Sequence, residues 1–202
     1  MTHNVAKVCM IPDLFEKSDA HSFYLGGSDL AWQLCGNPNE GVLAASEYAR
    51  QLSYLRLKTS KLLFADAQSG FGNPLNTYFT VKEFEHHGAD IILINDQEFP
   101  SRTQQPRIAS IYSFAGRVKA AVDAHNQQSS SIWVKLDGYS SYQINGLQQH
   151  LAVAEKLGAT GALLNSIPAK IIAQLDTNLT LGALNLSEPD TNYTEKVEYL
   201  FK

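Results

Sequence analysis

The 202 residues suffice to bury one sizeable core. With 44% hydrophobic and 18% charged residues the composition is ordinary for a globular chain, so one domain spanning 1–202 is expected. A net charge of −4 argues against a nucleic-acid partner, which would want a basic face. No stretch approaches the ~20 apolar residues of a membrane span, so no membrane association is expected.

The amino terminus, "MTHNVAKVCMIPDLFEKSD", lacks a basic region followed by a long apolar core and reads as no signal peptide. Cys9 and Cys35 show no metal or redox spacing. They are expected as small buried apolar residues in a reducing cytoplasm. The sequons at Asn178, Asn185 and Asn192 then count as compositional accidents.

In chain order, short apolar runs alternate with segments of helical period. "KVCMI" comes first, followed by an abbreviated helix in "DLFEKSDAH" and then by "SFYLGG". A helix is expected over 42–57, then the run "KLLFAD", a helix over 77–87, and "IILIND". A helix over 108–124 precedes "SIWVKLD", one over 144–157 precedes "GALLNS", and one over 168–175 precedes "LTLGALN". In the 144–157 segment, Ile144, Leu147, Leu151, Ala154 and Leu157 make one stripe, and Gly158 stops it where positive φ is required. Runs such as "IILI" are apolar on both faces, as strands covered on both sides must be. The tail "EKVEYLFK" reads as an eighth strand without its outer helix or as a short terminal helix.

Seven βα-like units in series indicate a parallel sheet with right-handed crossovers, either open and doubly wound or closed. The preferred reading is an α/β (β/α)8 TIM-type barrel, shortened at the carboxyl terminus and lacking outer helices, because ~250 residues are typical of that fold. Ligands of such sheets bind at the carboxyl ends of the strands. Those ends supply Gly26-Gly27-Ser28, Asp66-Ala67-Gln68, Asn95-Asp96, Lys135-Leu136-Asp137, Asn165-Ser166 and Asn185. Residues two apart share a strand face, so Asp66 and Gln68 should both look into the barrel mouth, as should Lys135 and Asp137. Gly70 and Gly72 in "SGFGNP" allow a tight turn whose amides approach a ligand, as in anion-binding nests. His86-His87 at a helix end complements the helix dipole rather than binding a metal. Tyr48, Tyr54, Phe79 and Phe84 are packing residues of amphipathic helices.

Together these strand ends resemble the phosphoenolpyruvate mutase / isocitrate lyase family. "DAQSGFGN" (66–73) is similar to its D-x-D-x-G-[YF]-G-N hallmark at five of six fixed positions. In the same order, "LGGS", "GNPN", "NDQEFP" and "KLD" look like its S-G, G-x-x-D, E-D and R-T-D segments. "NDQEFPSRTQQ" resembles the phosphonopyruvate branch (mutase and hydrolase). The lyase branch's K-K-C-G-H loop has no counterpart, because no cysteine follows Cys35.

The resemblance implies a small anionic substrate, a 2-oxo or phosphono acid, and cleavage or rearrangement of a C–P or C–C bond. Asp66, Lys135 and Asn39 take the catalytic positions; Gly27, Ser28, Gln68, Asn95, Arg102 and Lys135 the substrate-binding ones. The Gly27 and Ser28 amides would face developing oxyanion charge. Asp66 would hold Mg²⁺, with Gln68 and Asn95 acting through water. No organic cofactor is implied, and a homo-oligomer stays open, since family members commonly exchange a terminal helix for which this chain looks short.

The departures weaken that metal. Asn39, Gln68 and Asn95 stand where the family has carboxylates, and Lys135 where it has an arginine. At about 4 Å and an effective dielectric near 20, each missing charge forfeits up to ~4 kcal/mol of attraction. Lys135 keeps the positive charge but not the bidentate fork. The alternative function is therefore a catalytically degenerate member that binds a small anion without Mg²⁺-dependent turnover.

Overall fold

The computed structural model describes residues 2–126, 129–186, 189, 193 and 196–202. Eight parallel strands pair in sequence order and the eighth returns to the first, closing the barrel. The strands are β1 (His3–Lys7), β2 (Ser22–Leu25), β3 (Leu62–Asp66), β4 (Ile91–Asn95), β5 (Ser131–Leu136), β6 (Gly161–Asn165), β7 (Thr180–Leu184) and β8 (Tyr199–Phe201). Closure removes the open-sheet alternative, and the tail supplies a strand rather than a terminal helix.

The helices are α1 (Ile11–Glu16), α2 (Gly27–Cys35), α3 (Ala45–Arg56), α4 (Pro74–His86), α5 (Ile111–Ala124), α6 (Tyr139–Leu157) and α7 (Ala169–Ile172). Among the described residues no helix is long and apolar enough to cross a membrane.

Several boundaries differ from expectation, each for a local reason. β1 lies upstream of "KVCMI"; the buried Val8 in that run packs in the outer core instead. α2 was not anticipated: the Gly26-Gly27 pair ends β2 and opens a helix directly, closed by Gly36 at φ 65°. α4 starts at Pro74 rather than residue 77. The Asn73 side chain accepts from the Leu75 and Asn76 amides, and a proline at the first helical position needs no donor. α5 starts at Ile111, capped by Ser110, whose side chain accepts from the Ser113 amide; Ile108 is held in a bridge to Gln97. α6 begins early at Tyr139 but breaks at Gln143 (φ 53°, ψ −165°) before its apolar stripe, and stops at Gly158 with φ 101° as expected.

Three cores follow from this layering. Inside the barrel, Val5, Tyr24, Phe64, Leu93, Trp133 and Phe201 fill the lumen with their neighbours. Phe64 sits edge-to-face with Trp133 (5.4 Å) and Phe201 (5.0 Å). Two outer clusters seal the helices onto the sheet, one under α3 and α4, the other under α6 and α7. The lumen is thus plugged with rings below, and the polar strand ends lie above them.

Some surface expectations need correction. Cys35 is exposed and Cys9 half-buried, because Cys35 ends α2 away from the barrel. Tyr48 and Phe84 are buried, but Tyr54 and Phe79 lie on the solvent faces of their helices. His87 Nδ1 contacts the Glu83 carbonyl at 2.7 Å, a helix-end contact. Of the sequons, Asn178 is exposed and hydrogen-bonded to Glu155, Asn185 lies at the end of β7, and Asn192 falls outside the described residues.

Candidate active site at the barrel mouth

At the carboxyl end of the lumen, Lys135 Nζ lies 2.5 Å from Asp66 Oδ2 and 3.0 Å from the Tyr24 hydroxyl. That hydroxyl donates to the same Asp66 oxygen at 2.7 Å. Asp66 Oδ1 accepts from the Gln68 amide at 2.9 Å, so the carboxylate also caps its own turn. Strand alternation explains the convergence: Tyr24 pairs with Phe64, and Asn95 pairs in register with Lys135, so all point inward. Burial disfavours the charged form of Asp66, yet the ammonium, its hydrogen bond and the Tyr24 hydroxyl outweigh burial and hold the carboxyl below its ordinary value. The Tyr24 phenol is pushed well above its ordinary value by burial and by the Asp66 charge.

The residues that replace family carboxylates are committed elsewhere. Gln68 Nε2 donates to the Tyr48 hydroxyl at 3.0 Å, and its Oε1 faces Ser101 Oγ at 3.4 Å. Gly27 is needed against this side chain, since a Cβ there would fall 2.3 Å from Gln68 Nε2. Asn95 Oδ1 accepts from the Gln97 amide at 3.0 Å, while its buried Nδ2 has no partner among the described residues. Asp96 does not face the lumen. It accepts from the Asp137 and Gly138 amides (3.0 Å each) and from the Tyr142 hydroxyl (2.6 Å), holding the turn after β5. Burial and the neighbouring Asp137 raise its carboxyl above the ordinary value.

The glycine turn is a nest, but its anion is internal. Glu40, 3% exposed, accepts from the Ser69 (3.0 Å) and Phe71 (2.9 Å) amides through Oε1. Through Oε2 it accepts from Ser69 Oγ (2.6 Å) and the Ser101 amide (2.8 Å). Gly70 (φ 88°) bends this turn with no room for a side chain, a Cβ there meeting Thr77 Oγ1 at 2.2 Å. The expectation of a ligand-binding nest is therefore corrected: a side chain fills it.

Arg102, also at positive φ (60°), reaches Asp137 Oδ1 at 3.0 Å, and Asn165 Nδ2 reaches the same oxygen at 2.6 Å. Burial would lower the Arg102 pKa, but Asp137 and Asp66 raise it above its ordinary value. Arg102 borders a cavity of about 440 Å³ with Trp32, Asn37, Asn39, Thr103 and Gln104. It is the sole charged residue of that lining among the described residues. Asn39 thus belongs to this outer cavity, not to the buried cluster, and Ser28 sits half-buried at the start of α2. Gly27, Gln68, Asp66, Asn95 and Lys135 do come together. Sequence reasoning missed Tyr24, Tyr48 and Glu40. Tyr24 was findable as the residue two before Gly26 on one strand face, and Glu40 as the residue following "GNPN".

The donor set does not fit Mg²⁺, which wants several oxygen ligands. Among the described residues no three His, Cys, Asp or Glu side chains gather as a metal-holding group. A divalent ion at Asp66 would have to displace Lys135 Nζ.

A parallel barrel with its polar cluster at the carboxyl ends of the strands has the layout of barrel enzymes. The phosphoenolpyruvate phosphomutase family model matches residues 12–176, and the chain belongs to that family, within the phosphoenolpyruvate mutase / isocitrate lyase group. It is similar to an oxaloacetate decarboxylase of Bradyrhizobium sp. (strain ORS 278), 26% identical over 175 residues, covering 83% of this chain and 61% of that protein. It is similar also to a phosphonopyruvate hydrolase of Variovorax sp. (strain Pal2), 28% identical over 149 residues, covering 67% and 50%. The chain thus spans less than two thirds of the length of these relatives. A solved phosphonopyruvate hydrolase complex with oxalate and Mg²⁺ superposes with a TM-score of 0.83 at 19% identity, covering 99% of this chain and 75% of that one. At that identity the likeness speaks for the fold.

Proposed function

We propose that this chain acts on a small 2-oxo acid, breaking the C–C bond between the carbon next to the carbonyl and its substituent through an enolate-like state. The observation that carries the reading is the buried Lys135 ammonium at the carboxyl end of the lumen; Arg102, the charged residue of the outer cavity, follows β4 at the same end of the barrel. A relative named for oxaloacetate supports the substrate class, one named for 2,3-dimethylmalate, a 2-hydroxy diacid, supports cleavage of a small carboxylate, and the phosphonopyruvate hydrolase keeps a phosphono acid in the range to be screened.

In this reading Arg102 draws a substrate carboxylate into the cavity, and Lys135 stabilises negative charge developing on the 2-oxo oxygen. As the C–C bond breaks, its electron pair moves into the enolate and carbon dioxide or a carbonyl fragment leaves. Protonation of the enolate carbon completes the turnover. In this reading Tyr24, kept protonated by its surroundings and 3.0 Å from Lys135 Nζ, supplies that proton by turning its hydroxyl from Asp66 Oδ2. Positioning and charge stabilisation are what the residues offer.

The test is a turnover screen with oxaloacetate, 2,3-dimethylmalate and phosphonopyruvate, reading product formation. Saturable turnover lost in Lys135→Met supports the reading; no turnover of any of the three defeats it. One observation favours a second reading, the degenerate anion binder. Lys135 with Asp66, and Arg102 with Asp137, already satisfy one another, so a ligand must loosen internal ion pairs. Oxalate binding without turnover of any of these acids would be its signature.

A further inference from the structure

The mouth of the barrel has an unbalanced inventory of hydrogen-bonding groups. Asp66, its inward carboxylate, has both oxygens engaged: Oδ2 by Lys135 and Tyr24, Oδ1 by the Gln68 amide. The two amides that could orient metal-bound water turn their oxygens away, Gln68 Oε1 towards Ser101 and Asn95 Oδ1 towards the Gln97 amide. The Asn95 assignment is fixed by that last bond, because a flipped side chain would set Nδ2 against a buried N–H.

What remains available is made of donors. Asn95 Nδ2 is fully buried and has no partner among the described residues. Lys135 carries three N–H groups, of which Asp66 and Tyr24 take two. The two residues are register neighbours on β4 and β5 and share the lumen face. A donor pair of this kind repels a cation and welcomes an oxyanion. A buried amide of this kind is satisfied by an acceptor oxygen, of water or of a ligand.

We infer that Lys135 is the resident cation of this site, and that with Asn95 Nδ2 it binds the oxyanion of a small carboxylate or 2-oxo acid directly, without a divalent metal. The ligand class rests on the proposed function; the metal independence rests on the donor geometry alone. The tethered ammonium supplies one positive charge on a strand, at a place where a dissociable ion would contribute two. Affinity is then indifferent to chelators and to millimolar Mg²⁺.

The experiment is calorimetry and thermal shift on chelator-treated full chain, with oxalate as the probe, with and without Mg²⁺. The expected result is oxalate binding whose affinity changes less than twofold when Mg²⁺ is added, with no stabilisation by Mg²⁺ alone. Asn95→Ala should weaken oxalate about tenfold, the loss of one hydrogen bond to a charged ligand. Lys135→Met should abolish metal-free binding and release Asp66 for Mg²⁺. If that variant does not fold, Asn95→Ala and the chelated wild type decide. Oxalate binding that requires Mg²⁺, wild-type stabilisation by Mg²⁺ alone, or no oxalate binding under either condition overturns the inference. Binding that is metal-free but accompanied by no turnover sinks only the proposed reaction.

Discussion

Replacing Glu40 by glutamine tests whether one carboxylate ties three loops together. Its Oε1 serves two amides of the turn after β3, and its Oε2 serves Ser69 Oγ and the Ser101 amide of the segment after β4. Glutamine keeps one acceptor oxygen. If that oxygen takes the Oε1 place, its NH₂ faces the Ser101 N–H, donor against donor, while the Ser69 hydroxyl can rotate and accept. One buried N–H loses its partner, a cost of ~1–3 kcal/mol, and the two surviving bonds lose their charge assistance. Against this, the amide escapes the burial penalty that raises the Glu40 carboxyl above its ordinary value. The net expectation is a loss of ~2 kcal/mol, or about 4–8 °C in Tm for a chain of this size. Thermal denaturation gives the first readout. Hydrogen exchange gives the second: the Ser101 amide should exchange about thirtyfold faster if its opening is local. An unchanged Tm together with unchanged Ser101 protection would refute the staple.

Gly27→Ala should destabilise by ~1–3 kcal/mol, since the new Cβ falls 2.3 Å from Gln68 Nε2 and that side chain is 1% exposed; a melt curve at or above wild type would contradict the close approach. Tyr142→Phe removes the 2.6 Å bond to Asp96 and should cost about 2 kcal/mol in urea denaturation; no shift in midpoint would show that Asp96 is held by the backbone amides alone. The pH dependence has two limbs. Glu40 and Asp96 are raised in the folded chain from 4.5 and 3.8, so folding takes up protons and stability rises as pH falls from neutral towards those values. Asp66 is lowered from 3.8, so its contribution is full above that value and is lost as pH falls below it. Asp66→Asn should be less stable at neutral pH by ~3–5 kcal/mol, with Lys135 left uncompensated, and its stability should fall less steeply on acidification. A wild-type-like acid limb in that variant would remove Asp66 as its cause.

Much of this was legible because it depends on local rules. A closed series of apolar runs, each ending in a polar pair, marks strand ends, and period-two alternation turns Asp66, Asn95 and Lys135 inward. Gly158 announced its left-handed turn by type and place. What escaped depends on distance in the chain. Nothing near Glu40 shows that its partners sit 29 and 61 residues away. An amide's identity does not reveal which way its oxygen faces, so Gln68 and Asn95 read as water-orienting groups until the Tyr48, Ser101 and Gln97 contacts fix them. "KVCMI" misplaced β1 because burial of Val8 comes from helix packing. α2 was hidden because a glycine pair signals a turn more readily than a helix start.

The chain has two tryptophans, and their settings are opposite. Trp133 is 3% exposed, ringed by Phe64 and Tyr199 inside the lumen. Trp32 is 61% exposed on the wall of the Arg102 cavity. Intrinsic fluorescence therefore carries two separable signals without any added dye. Quenching by an aqueous collisional agent will report on Trp32 and on whatever arrives beside it. The shielded blue emission of Trp133 will persist until the cylinder itself comes apart.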